Sequence, residues 1–139
     1  MIDEYLESKV ATATPYQLHL MVIDGAIRHA RVAQAALAQK NLREARASLG
    51  QSRQFVAEIL SGLDEKKMAD VVIHLKAMFV FVLRNLVRAD LQHDPQLVAD
   101  SLSILETHRA TWLALAERLK QESPALVSSS AAGGYSWSS

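Results

Sequence analysis

Apolar residues between positions 68 and 86 recur with an almost unbroken helical period, and no other feature of the chain constrains its fold as much. Spacings of three and four residues place side chains on one face of an α-helix. This stripe consists of Met68, Val71, Val72, Leu75, Met78, Phe79, Val82 and Leu86. A helix with such a stripe is stable only when other elements cover it, so the pattern predicts a helical domain.

Three further long segments show the same period, and each opens with a helix-start signal. Thr14 and Asp94 are N-cap residues followed by proline, and Asn41 is an N-cap with Glu44 three residues later. The predicted helices are Pro15 to about Gln39, Asn41 to Ser61–Gly62, a segment beginning after Asp64, and Asp94–Pro95 to the residue before Pro124. The buried stripe of the second is Leu42, Ala45, Leu49, Ser52, Val56, Ile59 and Leu60. Short links favour antiparallel neighbours, so we expect an all-α, antiparallel up-down four-helix bundle.

The two ends of the chain differ from these long segments. The first ten residues form a short amphipathic segment, for which we expect a short extra N-terminal helix. Residues 123–139 are rich in serine and glycine and bury too little to order themselves. We therefore expect a helical bundle domain over residues 1–122 and a flexible tail over residues 123–139.

Composition argues against several classes of protein. The 139 residues include no cysteine, which removes disulfides and thiolate metal sites. Lys+Arg and Asp+Glu number 15 each, so the whole chain has no preference for polyanions. No uncharged apolar run reaches the roughly 18 residues of a membrane span, and acids replace the basic start of a signal peptide. We expect a cytoplasmic protein without stable membrane insertion.

Signatures of catalysis or metal binding are missing from the sequence. The chain has no Glu-x-x-His of a di-iron bundle, no P-loop and no Gly-x-Ser-x-Gly. Acid–histidine pairs at helical spacing occur only at Asp70–His74 and Asp90–His93. We therefore expect no enzyme, no cofactor, no metal and no small-molecule substrate, with the histidines in surface or local structural roles.

Basic residues concentrate between Arg28 and Arg53, where Glu44 is the sole acid. Arg43, Arg46 and Arg53 share one face of the second long segment. This pattern fits a solvated face, a nucleic-acid surface or attraction to an acidic protein segment. Since no interleaved aromatic residues or DNA-binding motif accompany the arginines, we expect no nucleic-acid partner.

A glycine of the first long segment conflicts with helix propensity. Gly25 lies inside the first long segment, where it costs about 1 kcal/mol relative to alanine. Ala26, Ala30 and Ala33 nearby also permit close approach. We expect a tight contact here, either with a neighbouring helix of the bundle or with a binding partner.

The segment of residues 68–86 has more apolar residues than one buried stripe requires. Such a helix is either central and covered on several sides, or it presents a surface to a partner helix. Both interpretations hold if the short N-terminal segment is a lid that a partner displaces. The candidate partner-binding residues are Ile2, Tyr5, Leu6 and Val10 in the lid, and Ile73, Ala77, Val80, Phe81 and Val87 in the groove.

The opening residues form a recognisable motif. In order they are Tyr5, Val10, Thr12, Ala13, Pro15, Met21, Asp24, Gly25, Ala26 and Ile27. The motif resembles the N-terminal signature of the flagellar export chaperones of the FliS family: a tyrosine, a valine, Thr-Ala-Ser-Pro and Met-Leu-Tyr-Asp-Gly-Ala-Ile. Thr14 replaces the family serine, and Ile23 replaces the family tyrosine. Similarity continues to about residue 120, including Arg109 and Trp112.

The resemblance implies a cytoplasmic export chaperone. Such a protein binds the disordered C-terminal segment of flagellin, prevents its premature polymerisation and helps deliver it to the flagellar export apparatus, without nucleotide or metal. The alternative is a structural adaptor bundle that binds another amphipathic partner helix.

Overall fold

The computed structural model describes residues 13–64, 66 and 69–122. Within that part of the chain there are four α-helices and no β-strand. The helices are α1 (Pro15–Ala38), α2 (Leu42–Gly62), α3 (Ala69–Gln92) and α4 (Pro95–Glu122). Both α1 and α3 pack against α2 and α4, which makes a ring of four neighbours. The prediction of an all-α bundle is confirmed, while the expected N-terminal helix and the tail lie outside the described residues.

Contacts between the first and last helices show their antiparallel arrangement. The indole N–H of Trp112 donates to the carbonyl of Tyr16 at 3.3 Å, near the start of α1. Further along α1, Arg31 donates to Glu106, an earlier residue of α4, at 2.6 Å. The partner in α4 therefore moves backward as α1 advances, as an up-down bundle requires.

Three helices begin where the sequence predicts. The Thr14 hydroxyl accepts the Gln17 N–H at 3.2 Å, and the Gln17 side chain accepts the Thr14 N–H at 3.0 Å, which completes a capping box. The Asn41 side chain accepts the Glu44 N–H at 3.3 Å. Asp94 accepts the Gln96 N–H at 2.9 Å. These bonds satisfy amide groups that helix geometry leaves without a partner.

The core lies along the bundle axis and draws on all four helices. Its largest fully buried apolar side chains are Phe79, Ile23, Leu49, Ile59, Leu86, Leu105, Val56, Val72, Val82 and Val98. Two residues that the periodicity placed in buried stripes are exposed instead, Leu42 by 45% and Val71 by 49%. Both belong to the first turn of their helix, where the described neighbours no longer cover the stripe. None of the described helices is long and apolar enough to span a membrane.

Candidate functional site

The predicted groove residues lie together on the outward face of α3. Ile73 is 56% exposed, Ala77 and Val87 are exposed, and Val80 is half-buried. Leu91 continues their helical spacing and is 74% exposed, although the sequence analysis did not include it. We call Ile73, Ala77, Val80, Val87 and Leu91 the outer stripe. Phe81, also exposed, lies beside it.

The opposite face of α3 is already packed. Phe79, Val82 and Leu86 are fully buried in the bundle core. The helix therefore presents apolar residues on two sides, and α1, α2 and α4 cover only one of them. This arrangement favours the partner surface over the covered central helix, as far as the described residues go. The lid residues Ile2, Tyr5, Leu6 and Val10 lie outside the described part of the chain.

The outer stripe is basic as well as apolar. Arg84 and Arg88 are exposed along the same side of α3, with Arg84 at helical spacing from Val80 and Val87 and Arg88 at helical spacing from Leu91. The acids of α3 are confined to its two ends, at Asp70 and Asp90. An extended apolar face flanked by positive charge suits an amphipathic partner that carries some acidic residues.

Two further grooves lie between α1 and α4, but ion pairs cross them. One has a volume of about 600 Å³ and the other about 830 Å³. Arg31 pairs with Glu106 at 2.6 Å, and Arg109 pairs with Asp24 at 2.5 Å. Of the described residues, no three His, Cys, Asp or Glu side chains cluster as metal ligands would.

The motif residues of α1 act within the bundle. The Arg109 guanidinium donates to the Asp24 carboxylate, which ties α1 to α4. The Ser52 hydroxyl donates to the Ala26 carbonyl at 2.8 Å, which ties α1 to α2 in the buried interior. Ile23, which replaces the family tyrosine, is fully buried in the core. A partner bound to the outside of the bundle has no access to that side chain.

Gly25 marks a close contact between α1 and α2. A Cβ atom at this position would lie 2.7 to 2.9 Å from three ring atoms of Phe55. A Cβ atom and a ring carbon that are not bonded to each other do not approach so closely, so only glycine fits without a shift of the ring. The expectation of a tight contact at Gly25 is confirmed, and its partner is a helix of the same bundle.

A buried histidine pair was missed by the sequence analysis. The Nε2 atoms of His19 and His108 lie 2.7 Å apart, and the rings pack against Phe79 and Trp112. Burial lowers the pKa of His19 to about 3 and that of His108 to about 4, so both are neutral near pH 7. The N–H of one ring donates a hydrogen bond, and the unprotonated nitrogen of the other ring accepts it. The available signal was the spacing of His19, which continues the helical line of Ile23.

Comparison with known proteins identifies the family of the chain. The family model described as Flagellar protein FliS matches residues 1–119. Flagellar secretion chaperones FliS of Vibrio cholerae, Salmonella typhimurium and Bacillus subtilis are 23%, 28% and 24% identical to the chain over 107, 108 and 108 residues. These matches cover 77–78% of the chain and 79–80% of each relative. The chain therefore belongs to the FliS family of flagellar secretion chaperones.

Proposed function

We propose that this protein is a cytoplasmic chaperone that binds the disordered C-terminal segment of flagellin along the outer stripe of α3. Binding prevents premature polymerisation of flagellin and helps deliver it to the flagellar export apparatus. The observation that carries the proposal is an exposed apolar stripe on a helix whose other face already belongs to a complete core. Membership of a chaperone family supports protein binding over catalysis.

The dimensions of the stripe fit an amphipathic helix. From Ile73 to Leu91 the helix rises by roughly 27 Å, which matches about five turns of a client helix. A disordered client loses several kcal/mol of conformational entropy when it orders, so the contact has to be long and mainly apolar. Arg84 and Arg88 add positive charge beside the stripe, which favours one orientation of the client over the other.

The lid hypothesis concerns the same surface. The short amphipathic segment of residues 1–10 precedes α1 in the sequence and is joined to it through residues 11–14. We propose that Ile2, Tyr5, Leu6 and Val10 cover apolar surface when no client is present. A client then replaces contacts within the chain by contacts with itself, which keeps the exposed apolar area small in both states.

The experiment that tests the proposal is calorimetry with the C-terminal segment of flagellin from the same organism. Ile73→Glu places a charge in the stripe, and we expect at least about tenfold weaker binding because the carboxylate loses water without gaining a partner. Since the Ile73 side chain is more than half exposed, the circular dichroism and unfolding midpoint stay close to those of the natural protein.

Leu115→Glu is the matched control. Leu115 is an exposed leucine of α4, so the variant adds the same charge on another helix, and we expect unchanged affinity. Failure of the natural protein to bind flagellin would overturn the proposal and leave the structural adaptor as the alternative. Equal losses in both variants would contradict the assignment to α3.

A further inference from the structure

A second exposed apolar surface lies where the start of α2 meets the end of α3. Leu42 and Leu91 are both exposed there, and a cleft of about 720 Å³ separates the two helices. We call it the α2–α3 cleft. Its lining consists of Leu42, Arg43, Arg46, Ala47, Asp90, Leu91 and His93.

The charge of the cleft is positive despite one acidic residue in its lining. The Arg53 guanidinium donates to the Asp90 carboxylate at 3.3 Å, and Arg46 lies 3.9 Å from the same oxygen. Asp90 is mostly buried and one carboxylate cannot neutralise two guanidinium groups. Arg43 and Arg46 are exposed, so their charge faces solvent at the mouth of the cleft.

The cleft is continuous with the outer stripe. Leu91 belongs to both surfaces, because it is the last residue of the stripe and part of the cleft lining. A helix lying along the stripe therefore reaches the cleft at the C-terminal end of α3. At that point Arg43 and Arg46 continue the positive charge that Arg84 and Arg88 place along the stripe.

We propose that the α2–α3 cleft binds an acidic stretch of the same client chain. Large apolar side chains of the client pack between Leu42 and Leu91, and neighbouring carboxylates of the client accept hydrogen bonds from Arg43 and Arg46. Guanidinium groups match carboxylates in geometry and charge, so this contact fixes the register of the client on the stripe. The inference rests on the proposed function and names the chemistry that its surface selects.

The test compares the flagellin C-terminal segment bound to the natural protein and to the double variant Arg43→Glu and Arg46→Glu. We expect about tenfold weaker binding by the variant, from two lost attractions and two new repulsions. We also expect the affinity of the natural protein to fall more steeply than that of the variant between about 50 mM and about 300 mM salt. Asp90 keeps its bond to Arg53, so the variant remains folded.

The matched control is the double variant Arg28→Glu and Arg118→Glu, which changes the net charge equally at exposed arginines of α1 and α4. Its affinity and salt dependence should match those of the natural protein. A client segment whose acidic residues are replaced by lysine should bind Arg43→Glu/Arg46→Glu more tightly than it binds the natural protein. Leu91→Gln, at a largely exposed position, should weaken binding at every salt concentration.

The outcomes separate this inference from the proposed function. If the natural protein binds the client and the cleft variant binds it with the same affinity and salt dependence, the cleft assignment is overturned while the α3 stripe stands. If cleft and control variants lose affinity equally, general charge and not the cleft attracts the client, which also overturns the assignment. If the natural protein does not bind at all, both proposals fall.

Discussion

His19 and His108 occupy a site that excludes charge. Their rings are held between Phe79 and Trp112, and the short contact between the two Nε2 atoms requires that at least one of them carry no proton. Burial lowers the pKa of both groups, to about 3 for His19 and about 4 for His108, against 6.5 in an unfolded chain. The pair therefore connects a packing contact between α1 and α4 to the pH of the solution.

Stability should fall as the pH drops below 6.5. Above that pH both histidines are neutral in the folded and in the unfolded state. Below it the histidines of the unfolded chain bind protons, whereas those of the folded protein stay neutral until the pH reaches about 4 to 3. At pH 5 this amounts to a loss of about 2 kcal/mol for each histidine. Urea unfolding at pH 7 and pH 5 measures this loss in the free energy of unfolding. The double variant His19→Leu and His108→Leu should lose less stability over that interval, while His74→Leu, at an exposed position, should lose as much as the natural protein.

Gly25 gives a second prediction at the scale of one residue. In the natural protein Gly25→Ala should destabilise the fold by about 1 kcal/mol, since the cost of pushing the Phe55 ring aside exceeds the gain in helix propensity. In a Phe55→Ala background the same change should stabilise by about 1 kcal/mol, because the obstacle is gone. Denaturant unfolding of the four proteins measures both values. A change of the same sign in both backgrounds would contradict the assigned contact.

Helix starts and helix ends differ in how well the sequence encodes them. Thr14, Asn41 and Asp94 are cap residues with a recognisable side chain, so the starts follow from the sequence. The turns after α1 and α3 instead place Lys40 and His93 at φ of 60° and 53°. Glycine usually occupies such positions, and in its absence these two ends follow from the cap residues Asn41 and Asp94 of the next helix.

Lys40→Gly should therefore stabilise the bundle by about 0.5–1 kcal/mol. A side chain at positive φ is strained, and glycine relieves that strain while the turn keeps its bond from the Asn41 N–H to the Ala36 carbonyl at 2.8 Å. Thermal or urea unfolding measures the gain. Gln39→Gly is the control: at φ of −89° nothing is relieved, so this variant should be no more stable than the natural protein.

The outer stripe shows how much of a helix surface the spacing of apolar residues predicts. Spacing alone identified two apolar lines on α3, and it grouped Ile73, Ala77, Val80 and Val87 correctly. Which line faces solvent depends on where α2 and α4 pack, and that is a property of the assembled bundle. Leu91 was missed for the same reason, since an apolar residue near a helix end is exposed only if the next element turns away from it.

At the scale of the whole molecule, the core described within residues 13–122 draws on all four helices of the bundle. All four helices contribute fully buried side chains, and the capping box at Thr14 starts α1 independently of what precedes it. The outer stripe lies exposed on α3, beside this core. We therefore expect the proposed lid to be separable from the fold, so that its removal changes the surface without changing stability much.

Deletion of residues 1–10 tests this separation. The shortened protein should keep its helical circular dichroism and unfold cooperatively, because the core of the described residues draws on all four helices. Binding of a hydrophobic dye should rise, since apolar surface is no longer covered. Adding Ile73→Glu to the deletion should reverse part of that rise if the uncovered surface is the outer stripe, whereas Leu115→Glu should not. Dye binding that stays the same after the deletion would rule out the lid, and a shortened protein that fails to fold would show that residues 1–10 belong to the core.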